Sequence, residues 1–166
     1  MKKAFAPIVN KDCKILLLGT MPGEKSLQVN EYYGNRGNQF WKLLFTLVGK
    51  ELSYDYNKKM QLLKEYNIAL WDVLEYCERE GSLDSNIKNE KANDFEEFYK
   101  TSPSITHVFF SSKNAAAYYK KYVGFKQDIT YCILPSPSGA NATKSFSEKL
   151  KEWKMNLLPL ITPISD

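Results

Sequence analysis

Apolar positions along the chain follow two rhythms. Four short segments are nearly continuous in apolar residues: Cys13–Gly19, which ends on a glycine, Asn67–Val73, His107–Ser111 and Ile129–Leu134. Runs of this length and density predict strands buried on both faces. Between them the spacing turns helical. Phe40, Trp41, Leu44, Phe45 and Val48 recur at three- and four-residue intervals, predicting a helix over Gln39–Val48. Helices are also predicted over Tyr56–Glu65, Phe95–Lys100 (capped by Asn93 or Asp94, stopped by Pro103), Asn114–Tyr122 and Ser145–Leu158, the last with Leu150, Trp153 and Leu157 along one side. Strands alternating with helices predict one three-layer α/β/α domain over residues 1–166, with a central, mainly parallel four-stranded sheet. Ligands of such sheets bind beyond the carboxyl ends of the strands. Three segments of unusual composition fall there: Gly19–Asn38, Trp71–Asp84 and Pro135–Thr143.

Composition narrows the picture modestly. With 43% hydrophobic and 25% charged residues, the 166-residue chain has ordinary globular usage, which excludes a disordered or coiled-coil protein. The longest apolar run, Ile15-Leu16-Leu17-Leu18, is far too short to span a bilayer, and the Ala4–Pro7 stretch too short for a signal peptide, so a cytoplasmic protein without membrane contact is expected. A net charge of +4 permits a phosphate-rich partner without requiring one. Three widely spaced cysteines (Cys13, Cys77, Cys132) and a lone His107 predict buried thiols, no metal site and no cofactor. The acidic residues Glu78, Glu80 and Asp84 near Arg79 read as solvated or ion-paired, because nothing in their spacing sets two carboxylates across a substrate.

The segment after the first strand, Gly19-Thr20-Met21-Pro22-Gly23, is neither a Walker loop nor a GxGxxG turn. By itself it reads as a tight strand exit. Its continuation is less common: Tyr32-Tyr33, a polar turn through Arg36, then Asn38-x-Phe40-Trp41 opening a helix. Near the other end of the chain stands Leu134-Pro135-Ser136-Pro137-Ser138-Gly139-Ala140-Asn141-Ala142. With Ala69–Leu74, Cys77–Ser85 and Phe109-Phe110, these pieces together resemble the uracil-DNA glycosylase superfamily, and within it the hypoxanthine-DNA (deoxyinosine) glycosylase family. The resemblance runs in order through nearly the whole chain. It implies a uracil-DNA glycosylase-like fold and a monofunctional enzyme of base excision repair. Such an enzyme acts as a monomer beside the nucleoid, flips a deaminated base out of DNA, and hydrolyses its N-glycosidic bond. Hypoxanthine is the expected base, with uracil a further substrate.

The resemblance also assigns roles. Tyr33 is the expected platform on which the base stacks, with Tyr32 as the alternative. Gly19, Thr20, Met21, Pro22, Phe40, Asp72 and Ser111 complete the expected base pocket. Asn38 is the expected catalytic group, although by residue type alone it is a helix cap; the two roles are compatible. Asp72 either accepts a hydrogen bond from the base or caps the next segment. Arg36, Lys113, Pro135, Ser136, Pro137, Ser138, Asn141 and Lys144 are expected on the DNA backbone, with the N-terminus of the last helix aimed at the same phosphates. Several positions differ from other members. Met21 stands where many superfamily members carry Asn or Asp, a polar residue that the hypoxanthine-type family also lacks; Leu134 replaces a histidine found in some, Gly139 stands where proline is usual, and Ser111-Ser112 replaces Asn-Gly. A pocket so poor in polar groups leaves open a nucleic-acid-binding module without catalysis. A nucleotide enzyme using Gly19–Gly23 as a phosphate loop fits less well, since the Lys-Ser/Thr ending is absent.

Overall fold

The computed structural model describes residues 1–141 and 143–161; Ala142 of the Pro/Ser segment and residues 162–166 lie outside it. In chain order the elements are β1 (Lys2–Lys3), β2 (Ile15–Gly19), α1 (Glu24–Val29), α2 (Phe40–Leu47), α3 (Tyr56–Glu65), β3 (Ile68–Asp72), β4 (Leu74–Glu78), β5 (Lys88–Ala92), α4 (Phe95–Thr101), β6 (His107–Phe110), α5 (Lys113–Tyr122), β7 (Thr130–Ile133) and α6 (Phe146–Ile161).

The central sheet has the order β3-β2-β6-β7, with every neighbouring pair parallel. Every residue of β2 and β3 is buried, because helices cover both faces. Alternate side chains of β2 divide between two cores. Ile15 and Leu17 join Phe40, Leu44, Leu63, Phe109 and Trp153 from the side of α2, α3 and α6. Leu16 and Leu18 join Trp71, Phe95, Val108, Phe110 and Tyr119 from the side of α4 and α5. Burying a large aliphatic or aromatic side chain contributes roughly 1.5–3 kcal/mol, so these two layers dominate the stability of the sheet.

Predicted boundaries agree to within about three residues. Asp94, not Asn93, caps α4: its carboxylate accepts from Glu97 N at 3.0 Å. Asn93 instead ties β3 to β4 by donating to the carbonyls of Asp72 and Leu74. Two features depart from the sequence reading. The first is α1, a single short helix inside the segment read as one loop. The second is a small antiparallel sheet, β1-β4-β5, whose strands are not among the predicted elements and whose middle strand lies within Trp71–Asp84. Its strands are short, rich in Lys and Glu, and broken by bulges. This is the composition of protected sheet edges, and it hides the period-two pattern. Among the described residues no helix is long and apolar enough to cross a membrane.

Candidate active site

The strand register decides what meets at the carboxyl end of the sheet. Gly19 pairs with Asp72 and Leu18 with Phe110, so Gly19, Asp72, Ser111 and Leu134 leave the sheet side by side. A cleft of about 1210 Å³ opens above them. Its walls are the three segments singled out by composition.

Gly19 is the pivot of the floor. A Cβ there would lie 2.7 Å from Asp72 Oδ1 and 2.8 Å from Tyr33 Oη, so only glycine lets both side chains close over the end of β2. Tyr33 itself has a left-handed backbone (φ 51°), a conformation costing a non-glycine residue of order 1 kcal/mol. The surroundings impose it. Ser26 Oγ accepts from Gly34 N at 2.9 Å, and a Cβ at Gly34 would meet Val29 Cγ2 at 2.8 Å. The turn lays the Tyr33 ring flat on Phe40, with centroids 3.8 Å apart and planes inclined by 10°. Phe40 is fully buried and does not line the cleft, so its expected place in the base pocket is corrected: it backs Tyr33, whose opposite face is left for the cleft. The Tyr33 hydroxyl lies 3.1 Å from Ser111 Oγ, which donates to Leu18 O at 3.2 Å. With that hydrogen committed, Ser111 accepts and Tyr33 donates. Burial holds the Tyr33 phenol well above its ordinary pKa, so it stays a neutral donor. Tyr32 belongs to the core instead. It is 3% exposed, its hydroxyl donates to Ala6 O at 2.8 Å, and its carbonyl receives Trp41 Nε1.

Asp72 is the most unusual group on the floor. It is 4% exposed, and no donor among the described residues reaches its Oδ2. Burial, reinforced by the charge of Asp84 and opposed by that of Arg79, pushes its carboxyl up to about 7. A buried, unpartnered carboxyl oxygen costs roughly 1–3 kcal/mol or more, and such groups concentrate where a ligand will satisfy them. Arg79, by contrast, is not solvated as its sequence neighbours suggest. Its side chain is fully buried, donates to Pro22 O and to Gly81 O, and stands 3.9 Å from Asp84 Oδ1. It thereby pins the Gly19–Gly23 turn to the Gly81–Asp84 segment. The one sequence signal was arginine itself, one of only two in a lysine-rich chain.

Asn38 lines the cleft and, from the position before the α2 N-cap Gln39, makes a capping bond to the first helical amide: its Oδ1 accepts from Phe40 N at 2.9 Å. The second lone pair of that oxygen and the amide NH₂ are not used by this contact. Thr20, Met21 and Pro22 line the same cavity, although Met21 is 7% exposed and brings no polar group. Thr20 Oγ1 lies 3.2 Å from Ser112 Oγ, which caps α5 through Ala115 N.

The rim is the Pro/Ser segment. Pro135, Ser136, Pro137, Ser138 and Asn141 all face the cleft. Ser136 and Ser138 accept backbone N–H groups from Ser138 and Ala140, each at 3.2 Å, and Asn141 Nδ2 donates to Ser136 O. The segment is thus folded on itself and keeps its hydroxyl hydrogens for a partner. It meets the Asn38 turn directly. Gln39 N donates to Pro137 O at 2.7 Å, and a Cβ at Gly139 would stand 2.5 Å from Gly37 O. Gly139, standing where proline is usual in the family, permits the segment's close approach to the opposite one.

Of the expected phosphate contacts, Lys113 lines the cleft and is exposed, and Lys144 lines it but is paired with Glu152. Arg36 does not line it; its guanidinium lies 4.2 Å over the Tyr54 ring. The N-terminus of α6 carries a capping box, Ser145 Oγ receiving Glu148 N and Glu148 Oε1 receiving Ser145 N, which brings a carboxylate to the place expected for a phosphate. His107 sits at the opposite end of β6.

The carboxyl ends of a parallel sheet thus gather a tyrosine, a buried carboxyl and a Pro/Ser segment around one cleft. The uracil DNA glycosylase superfamily model matches residues 6–158, and the chain belongs to that superfamily; it is a DNA glycosylase. It is 36% identical to the hypoxanthine DNA glycosylase of Methanosarcina barkeri over 92% of this chain and 95% of that one. It is also 36% identical to the hypoxanthine DNA glycosylase of Methanosarcina acetivorans, over 93% and 96%. A candidate uracil DNA glycosylase from M. acetivorans, solved by solution NMR, superposes with a TM-score of 0.81 at 34% identity and covers 96% of this chain and 98% of its own.

Proposed function

We propose that the protein excises hypoxanthine, the deaminated form of adenine, from DNA by hydrolysing the N-glycosidic bond, with uracil as a secondary substrate. The observation that carries this reading is the unpartnered Oδ2 of Asp72 in the cleft that Tyr33 and Asn38 also line. Relatives named hypoxanthine DNA glycosylases supply the base class. The flipped base stacks on the free face of Tyr33, worth about 1–3 kcal/mol for a base on an aromatic ring. Its N1–H donates to ionised Asp72. Adenine carries a bare lone pair at N1, which the same carboxylate repels, so the floor separates the deaminated base from its parent. Uracil offers an equivalent N3–H. Asn38, held by its capping bond, orients a water through its remaining lone pair. The water oxygen bonds to C1′ as the C1′–N9 bond breaks through an oxocarbenium-like state; the water gives up one proton to solvent and the leaving purine takes one up from solvent, so that sugar hydroxyl and neutral base result.

The test is a panel of duplexes each bearing one hypoxanthine, uracil or xanthine, treated with protein and then alkali. Strand scission at hypoxanthine above the other lesions is expected. Salt-sensitive DNA binding with no base released from any lesion would establish the binding-module reading in its place.

A further inference from the structure

Lys149 on α6 is 1% exposed, yet it carries an ammonium. Its Nζ donates to Gln39 Oε1 at 2.8 Å and approaches Ser138 O at 3.4 Å. Among the described residues no carboxylate pairs with it. A buried charge held only by neutral oxygens is costly, and burial accordingly pushes its pKa down. An apolar side chain on the same stem would avoid that cost. The fold does not need the charge to join these segments, because the Gln39 N–Pro137 O bond and the Gly139–Gly37 contact already join them. What the ammonium adds is directional. One acceptor belongs to the residue next to Asn38, and the other lies in the middle of the Pro/Ser rim.

We propose that Lys149 is a positioning residue, a charged strut that fixes the Asn38 turn against the Pro/Ser segment so that DNA seated on the rim brings Asn38 into place for bond cleavage. The inference rests on the reading that Asn38 acts in base release. Lys149 touches neither base nor water; it acts through Gln39 and Ser138.

The test compares Lys149→Met, Lys149→Arg and Gln39→Met in single-turnover release from a hypoxanthine duplex, with DNA affinity, melting temperature and amide hydrogen exchange measured in parallel. Lys149→Met and Gln39→Met are each expected to slow release by about tenfold, the worth of one hydrogen bond to a charged group. DNA Kd should change less than twofold, and the melting temperature of Lys149→Met should be equal or higher. Lys149→Arg recovers part of the rate. In an Asn38→Ala background Lys149→Met is expected to slow release no further, an outcome that a generally structural role would not give. The proposal is overturned if Lys149→Met releases base at the parent rate, if its loss is the same with and without Asn38, or if its loss follows a lowered melting temperature or weakened DNA binding. Should the parent protein release no base at all, the functional reading fails separately. The strut is then judged by hydrogen exchange alone, which must quicken around Gln39 and Ser138 in Lys149→Met.

Discussion

The floor and the rim of the cleft are built on opposite principles. The floor is made of strand ends and one tight turn: Gly19, Tyr33, Asp72 and Ser111 pack together, and Oδ2 of Asp72 is buried with no donor among the described residues. The rim is made of Pro, Ser and Lys residues that, Pro137 apart, are exposed or half-exposed, and its serine hydroxyls accept from backbone N–H groups of the same segment. On the proposed function the floor reads the edge of a ring, and the rim meets the sugar-phosphate chain by charge and shape, independently of sequence. Substitutions on the floor should therefore change rate and substrate choice, and substitutions on the rim should change affinity and its salt dependence.

Asn38, where floor and rim meet, gives the largest expected effect. Asn38→Ala should lower single-turnover release about 100-fold or more, as for other pre-organised neutral hydrogen-bonding groups at a reacting centre, while DNA affinity measured by fluorescence anisotropy changes less than about threefold. It should also lose the α2 cap, about 1 kcal/mol in urea unfolding. Equal losses of rate and affinity would move Asn38 to the rim.

Asp72 comes next. Asp72→Ala should lower release of hypoxanthine by about 10- to 100-fold, the range for a hydrogen bond to a charged acceptor. Because the carboxyl sits at about 7 and its ionised form accepts N1–H, release by the parent protein should rise as pH increases through that value. Asp72→Asn keeps an acceptor on the same stem, so it should retain release and lose the pH step. Stability has the opposite sign. The folded state binds the Asp72 proton more tightly than the unfolded chain, so folding weakens as pH climbs from about 4 to about 7. Asp72→Asn should remove that slope in denaturant titrations.

Smaller effects belong to the rim. Gly139→Ala drives a Cβ into the Gly37 carbonyl and should cost about 1–3 kcal/mol of stability, by analogy with overpacking, with weaker binding to every duplex. Lys113→Ala should weaken binding to hypoxanthine-bearing and undamaged duplexes alike and reduce the salt slope by about one unit.

The floor and the rim were not equally legible in the sequence. The parallel sheet was plain, because β2 and β3 are buried on both faces and read as unbroken apolar runs. Where the cleft lies followed from the strand ends. The second sheet was not legible, since its edge strands β1 and β5 are short and charged and its middle strand β4 carries two glutamates among five residues. Tyr33 and Tyr32 are indistinguishable by type; only the left-handed backbone at Tyr33 separates platform from core. Phe40 was placed one layer too far forward, because sequence spacing cannot show that one ring hides behind another. The roles of Arg79 and Lys149 depend on contacts across 57 and 110 positions of chain, which no local pattern encodes.

The central claim is that Tyr33, Asp72 and Asn38 receive one extruded base. The most direct measurement is a crystal structure of the protein with a duplex carrying a 2′-fluoro deoxyinosine, whose glycosidic bond resists hydrolysis. The account predicts hypoxanthine stacked on Tyr33, its N1 within hydrogen-bond distance of an Asp72 oxygen, and a water between Asn38 and C1′. A base still paired in the helix, or seated in the cleft without touching Tyr33 and Asp72, would contradict it.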